Sequence, residues 1–264
     1  MRTEPAWSWP RFLIGCALLW GVLAGLSEID ATGRWGLIIL VLVAITAVGV
    51  EVVVFRTPTR TAVRFVGLGR PRRSAMVVAA VVSGLILIVY PVASVVLEVR
   101  FALVDDWPWI LLGLFCFHGL AEEIVWRGFI FRRLNDGRRF RTAVLLSMPF
   151  IAAAHIPILI ANGPVVAVGA MLVAAVTAVP CSYLYVAGGR TVWAPALLHT
   201  AIDSFKLVVI PAAATQSFSL LLIGFSLLVP LLVLVSPRIR EAARGIDPGG
   251  VSDRAEKAHS DSER

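Results

Sequence analysis

The chain has 264 residues, of which 58% are hydrophobic and 16% charged, and its mean hydropathy is +0.86. Soluble domains of this length carry about a quarter charged residues, so a soluble globular fold is excluded and an all-α, polytopic membrane helix bundle is expected. The formal charge of +7 does not indicate nucleic-acid binding. The basic residues sit in short links between apolar runs, where they act as topology signals rather than as a binding face.

In chain order, eight apolar runs read as membrane helices, near residues 12–27, 36–55, 75–97, 107–131, 142–161, 165–187, 191–210 and 218–235. The first is the shortest and reads as a retained helix rather than a cleaved leader. Glu51, late in the second run, reads as interfacial. Arginines crowd alternate links: Arg56 to Arg73 after the second run, Arg132 to Arg141 after the fourth, Arg190 after the sixth, and Arg238 to Arg244 after the eighth. That alternation predicts a multi-pass protein of the cell membrane with both termini cytoplasmic. Residues 1–240 form one transmembrane domain in this reading. Residues 241–264 form a polar tail, expected to be disordered because it cannot bury enough apolar area to offset its ordering entropy.

Cys16, Cys116 and Cys181 all fall in apolar runs without C-x-x-C spacing, which suits buried small hydrophobes rather than disulfides or thiolate metal ligands. Trp7, Trp9, Trp107 and Trp109 fall at expected interfaces and read as aromatic-belt anchors; Trp126 and Trp193 flank the site towards the cytoplasm and read first as anchors, with the lining of an entry path as the alternative.

The informative residues are ionisable groups inside apolar runs: Glu122 and Glu123 in the fourth, His155 in the fifth, His199 and Asp203 in the seventh. Each costs a few kcal/mol or more in hydrocarbon, so together they mark a working site. At about 1.5 Å rise per residue, Glu122 lies roughly 15 Å from Arg132 and His155 about 21 Å from Arg141. By the same rise His199 is about 14 Å and Asp203 about 20 Å from Arg190. In a hydrocarbon core ~30 Å thick, all four fall near mid-bilayer and predict one shared pocket. His199 and Asp203 share a helical face, and Glu123 and Arg127 have the spacing of an intrahelical ion pair. Glu122 is then free to face the bundle centre. His118, four residues before Glu122, reads first as a helix–helix hydrogen bond.

Two chemistries suit such a set. One is hydrolysis, with Glu122 as general base on water and the histidines polarising a carbonyl or holding a metal. The other is proton or ion translocation. Histidine and carboxylate ligands suit Zn²⁺, although the H-E-x-x-H helix is absent.

Glu122-Glu123-x-x-x-Arg127, a following helix with His155, and His199-x-x-x-Asp203 together resemble the CPBP family of intramembrane proteases. That family includes the type II CAAX prenyl endopeptidases and bacterial Abi-like proteins linked to bacteriocin self-immunity. The resemblance spans the motif core, residues 107–205. It implies that Glu122 activates water with His155 assisting, and that His199 and Asp203 stabilise the oxyanion. Glu123 and Arg127 would support them. A metal-dependent version, with zinc as the divalent ion, would use Glu122, His155, His199 and Asp203 as ligands; a metal-independent version stays open, although aspartate rather than asparagine at 203 slightly favours a cation. The second motif departs from the family pattern, since Ile151 stands where phenylalanine is usual and Phe150 comes one position early. The expected partners are the bilayer and a membrane peptide or protein substrate, with no nucleic acid. A non-catalytic scaffold or immunity-type protein, and a proton-coupled transporter, remain as alternatives.

Overall fold

The computed structural model describes residues 8–30 and 33–245. Trp7, Arg2 and the tail from residue 246 lie outside the described residues. Helix α1 (Trp9–Ile29) is longer than expected, and a turn capped by Asp30 leads into α2 (Gly36–Val53). The Asp30 carboxylate accepts backbone N–H bonds from Gly33 and Trp35, at 3.0 and 2.6 Å. A short helix, α3 (Thr59–Phe65), lies in the first basic link. Then follow α4 (Arg73–Val96), strand β1 (Ala102–Leu103) and the long α5 (Trp107–Asn135). The chain continues through α6 (Phe140–Ala153), α7 (Gly163–Ala187), α8 (Trp193–Ile202), strand β2 (Val208–Val209), α9 (Ala212–Val235) and α10 (Pro237–Arg244).

Among the described residues, six helices are long and apolar enough to cross a membrane: α1, α2, α4, α5, α7 and α9. This is an all-α polytopic membrane bundle. Two of the eight expected spans differ from full-length helices. The run 142–161 becomes the 14-residue α6, which ends where Ala154 to Pro157 turn. The run 191–210 becomes the 10-residue α8, a single 3-10 segment (Asp203–Leu207) and β2. Asp203 and Ser204 favour local side-chain bonds over helix continuation, and the Ser204 hydroxyl donates to Ala201 O at 2.7 Å. Non-helical backbone at membrane depth persists only where its polar groups find partners. Here β2 pairs antiparallel with β1, Ala102 opposite Val209 and Leu103 opposite Val208, and the Val104 amide donates to Leu207 O.

Residues 237–244 are also helical, so regular structure runs through position 241. Ile239 and Ala243, four apart on α10, bury against the bundle and hold this last helix to it.

Helix α5 is the centre of the bundle. It has the lowest mean hydropathy of the six spans, 1.4, yet 72% of its window is buried, against 22–44% in the others. A helix surrounded by protein can carry polar side chains that a lipid-facing helix cannot. Much of α5 is π-helical, over Phe115–Ala121 and Ile124–Phe131. Such i→i+5 segments widen the turn and recur at functional sites.

One end of α5 is fastened by charge. Glu51, expected at an interface, is only 2% exposed and accepts from the guanidiniums of both Arg132 and Arg133. Thr57 Oγ1 also donates to Glu51, at 3.1 Å. Each guanidinium lies over an aromatic ring, Arg132 over Phe65 at 3.7 Å and Arg133 over Phe55 at 3.8 Å. The cluster joins α2, α3 and α5. Removing one partner of a buried charge cluster leaves the others uncompensated and costs about 3–5 kcal/mol. Glu51→Ala is therefore expected to destabilise the protein by about that amount, read as a lower thermal unfolding midpoint in detergent. Adding Arg132→Met to the same chain should recover part of the loss.

Candidate active site

The site lies where α8 packs on α5. Gly119 makes the approach possible, because a Cβ there would stand 2.6 Å from Thr200 Oγ1 and 3.2 Å from Ala196 O. Helix α4 supports α8 from the other side: Ser83 Oγ donates to Leu197 O at 3.2 Å, and Tyr90 and Ser204 hydroxyls meet at 2.8 Å. The two helices run antiparallel, so residues late in α8 and beyond it face residues earlier in α5.

Glu123 is fully buried and its Oε1 accepts twice. Arg127 Nη1 donates at 2.6 Å, which is the intrahelical ion pair expected from spacing, and His199 Nδ1 donates at 3.0 Å. Arg127 Nη2 also donates to Thr177 O at 3.3 Å, tying α7 to the same cluster. With Nδ1 spent on Glu123, His199 presents Nε2 to Glu122, 3.8 Å from Oε2.

Glu122 is held on its other sides by α5 itself. His118 Nδ1 contacts Oε1 at 2.7 Å and Trp126 Nε1 donates to Oε2 at 3.3 Å. Trp126 is 2% exposed, so its expected role as a membrane anchor is corrected: it packs inside the bundle beside the carboxylate. Trp9, Trp107 and Trp109 are exposed near span ends, as belt residues are. Cys16, Cys116 and Cys181 are free and buried.

Asp203 approaches His118, its Oδ2 3.5 Å from His118 Nδ1. Lys206, one 3-10 turn further on, places Nζ 2.6 Å from His118 Nε2. His118 is therefore a junction between α5 and the segment after α8, more than a packing histidine. Lys206 is the functional candidate that sequence reasoning missed. Its signal was available, because a lysine inside an expected span and three residues past Asp203 is as anomalous as the acids.

His155 sits in the turn after α6, half-buried, with Nδ1 2.9 Å from Ile151 O. Among the described residues no hydrogen bond joins it to Glu122. Glu122, Glu123, His199 and Asp203 thus share one cluster with His118 and Lys206, and His155 stands at its margin.

The donors do not fit a metal ion as they are placed. Among the described residues no group of three or more His, Cys, Asp or Glu side chains is arranged to hold one. Both nitrogens of His118 and one of His199 already face other side chains, and an ammonium group lies inside the cluster. The expectation of zinc on Glu122, His155, His199 and Asp203 draws no support from this arrangement.

No curated protein and no solved structure matches the chain. A family model does match, over residues 104–205, and this stretch contains β1's continuation into α5, the α6–α7 pair, and α8 through Asp203. It is the same stretch that assembles the acid–imidazole cluster. Residues 104–205 are accordingly similar to the protease family described as Type II CAAX prenyl endopeptidase Rce1-like.

Proposed function

We propose that this protein is an intramembrane endopeptidase that hydrolyses a peptide bond in a membrane-associated or membrane-proximal substrate. The observation that carries this reading is the 3.8 Å separation of Glu122 Oε2 from His199 Nε2 within the family segment. It is too long for a direct hydrogen bond and suits an oxygen atom held between the two groups. In this scheme Glu122 takes a proton from water as the water oxygen attacks the scissile carbonyl carbon. His199, as an imidazolium with its Nδ1–H anchored on Glu123, donates its Nε2–H to the developing oxyanion. Glu122 then returns its proton to the amide nitrogen as the C–N bond breaks. His155 assists electrostatically from the margin. Glu123 and Arg127 hold His199 in place, and Asp203 acts on the His118 side of the cluster. No step needs a metal.

The arginine-rich links support an orientation with both termini in the cytoplasm, and the site then opens towards the cytoplasmic half of the bilayer. A substrate ending in a prenylated CAAX sequence is an analogy with the family name only. Membrane peptides in general are the substrate class that the location favours.

Glu122→Gln keeps the shape of the side chain but removes its basicity. Incubated with a membrane-peptide library in detergent, the variant should lose cleavage by roughly 10²–10⁴-fold, the usual contribution of a general base. Equal product from variant and wild type would show that Glu122 has no catalytic role. Gly119→Val leaves every charge in place but wedges α8 from α5. It should lower the same cleavage by roughly 10²-fold, as ångström-scale misplacement does, with circular dichroism showing retained helicity. Arg127→Met is expected to lose both activity and about 3–5 kcal/mol of stability, because Glu123 would be left buried with His199 alone. Thermal unfolding alongside the peptide assay checks both effects.

A further inference from the structure

The hydrolytic scheme uses neither His118 nor Lys206 directly, yet the two form a chain that ends on the catalytic carboxylate. We propose that Lys206 and His118 are a positioning pair: Lys206 fixes His118 in the Nδ1–H tautomer, and that N–H orients Glu122. The proposal rests on the hydrolytic role of Glu122 given above.

The donor and acceptor inventory gives the direction of each bond. A lysine ammonium has three N–H donors and no acceptor, whereas a neutral imidazole has one of each. Lys206 Nζ lies 2.6 Å from His118 Nε2, so Nε2 must be the accepting nitrogen. The imidazole proton is then on Nδ1. Nδ1 points at Glu122 Oε1 at 2.7 Å, with Asp203 Oδ2 to the side at 3.5 Å. His118 is 8% exposed and its ring stacks on Phe117 at 4.2 Å between centroids, which limits ring flipping. Glu122 Oε1 is occupied by this bond and Oε2 shares its lone pairs with Trp126 Nε1, so the carboxylate plane is set from two sides. The free lone pair of Oε2 is left towards His199 Nε2.

The sequence elements explain why lysine can be there. Lys206 lies on the 3-10 segment after α8, and the β1–β2 ribbon pins the end of that segment to the start of α5. An ammonium at membrane depth needs a fixed polar partner, and the ribbon keeps this one in register with His118. The interaction couples two motif regions through residues outside both motifs.

The tautomer can be read without any substrate. In full-length protein carrying ¹⁵N-histidine in detergent, the His118 signals are those lost in His118→Asn. They should report a neutral ring protonated at Nδ1, and Lys206→Met should move the proton to Nε2 or give a mixture. A cationic or Nε2-protonated His118 in wild type, or spectra unchanged by Lys206→Met, would overturn the proposal. The functional arm uses a membrane peptide that wild type cleaves. Asparagine can replace the Nδ1–H donor but not the Nε2 acceptor, so in His118→Asn the donor to Glu122 no longer depends on Lys206. Lys206→Met alone should lower kcat by roughly 10²-fold, the scale of a misplaced catalytic group, with KM unchanged. On the His118→Asn background the same change should have little further effect; an equal loss in both backgrounds would mean that Lys206 acts elsewhere. If wild type cleaves no peptide, the hydrolase reading fails, while the nitrogen spectra still report on the Lys206–His118 pair.

Discussion

The structure depends on one constraint: a charged carboxylate at the centre of a membrane bundle must be answered by fixed donors. Glu123 is the clearest case. It is wholly buried and accepts from Arg127 on its own helix and from His199 on α8, while Arg127 reaches on to a carbonyl of α7. The Glu123–Arg127 pair therefore joins three helices, and the histidine that Glu123 holds is the one that faces Glu122. The adjacent acids divide the labour. Glu123 is committed to holding the bundle together, which leaves Glu122 with an edge directed at His199 Nε2.

Irregular backbone supplies the geometry that straight helices would not. The π-helical stretches of α5 straddle the two glutamates. Helix α8 stops after ten residues, so the chain beyond it turns to lay Asp203 and Lys206 beside His118. A continuous span would have carried these groups onward along a single axis. The two-residue ribbon between β1 and β2 is small, but it satisfies backbone groups that helix termination frees and ties the end of that segment to the start of α5.

Helix α5 carries two charge clusters, and their chemistry separates them. At the arginine end, one carboxylate faces two guanidiniums seated on aromatic rings. That is a fastening. In the middle, the carboxylate–imidazole distance opens to 3.8 Å and the second histidine and lysine approach from the side.

The sequence by itself determined the class of the molecule and the residues that matter. Its apolar runs and sparse charge required a membrane bundle, and acids and histidines within those runs were too costly to be incidental. The Glu123–Arg127 pair followed from i,i+4 spacing, and the family resemblance from three motifs in order. Tertiary structure alone decided which groups meet. Spacing along one helix says nothing of register between helices, so the approach of Asp203 to His118 was not legible, nor was the burial of Glu51 against Arg132 and Arg133. Hydropathy likewise could not show that the run 191–210 breaks. It averages over a window, while helix termination here depends on local hydrogen bonds at Asp203 and Ser204 and on a strand partner about a hundred residues earlier in the chain.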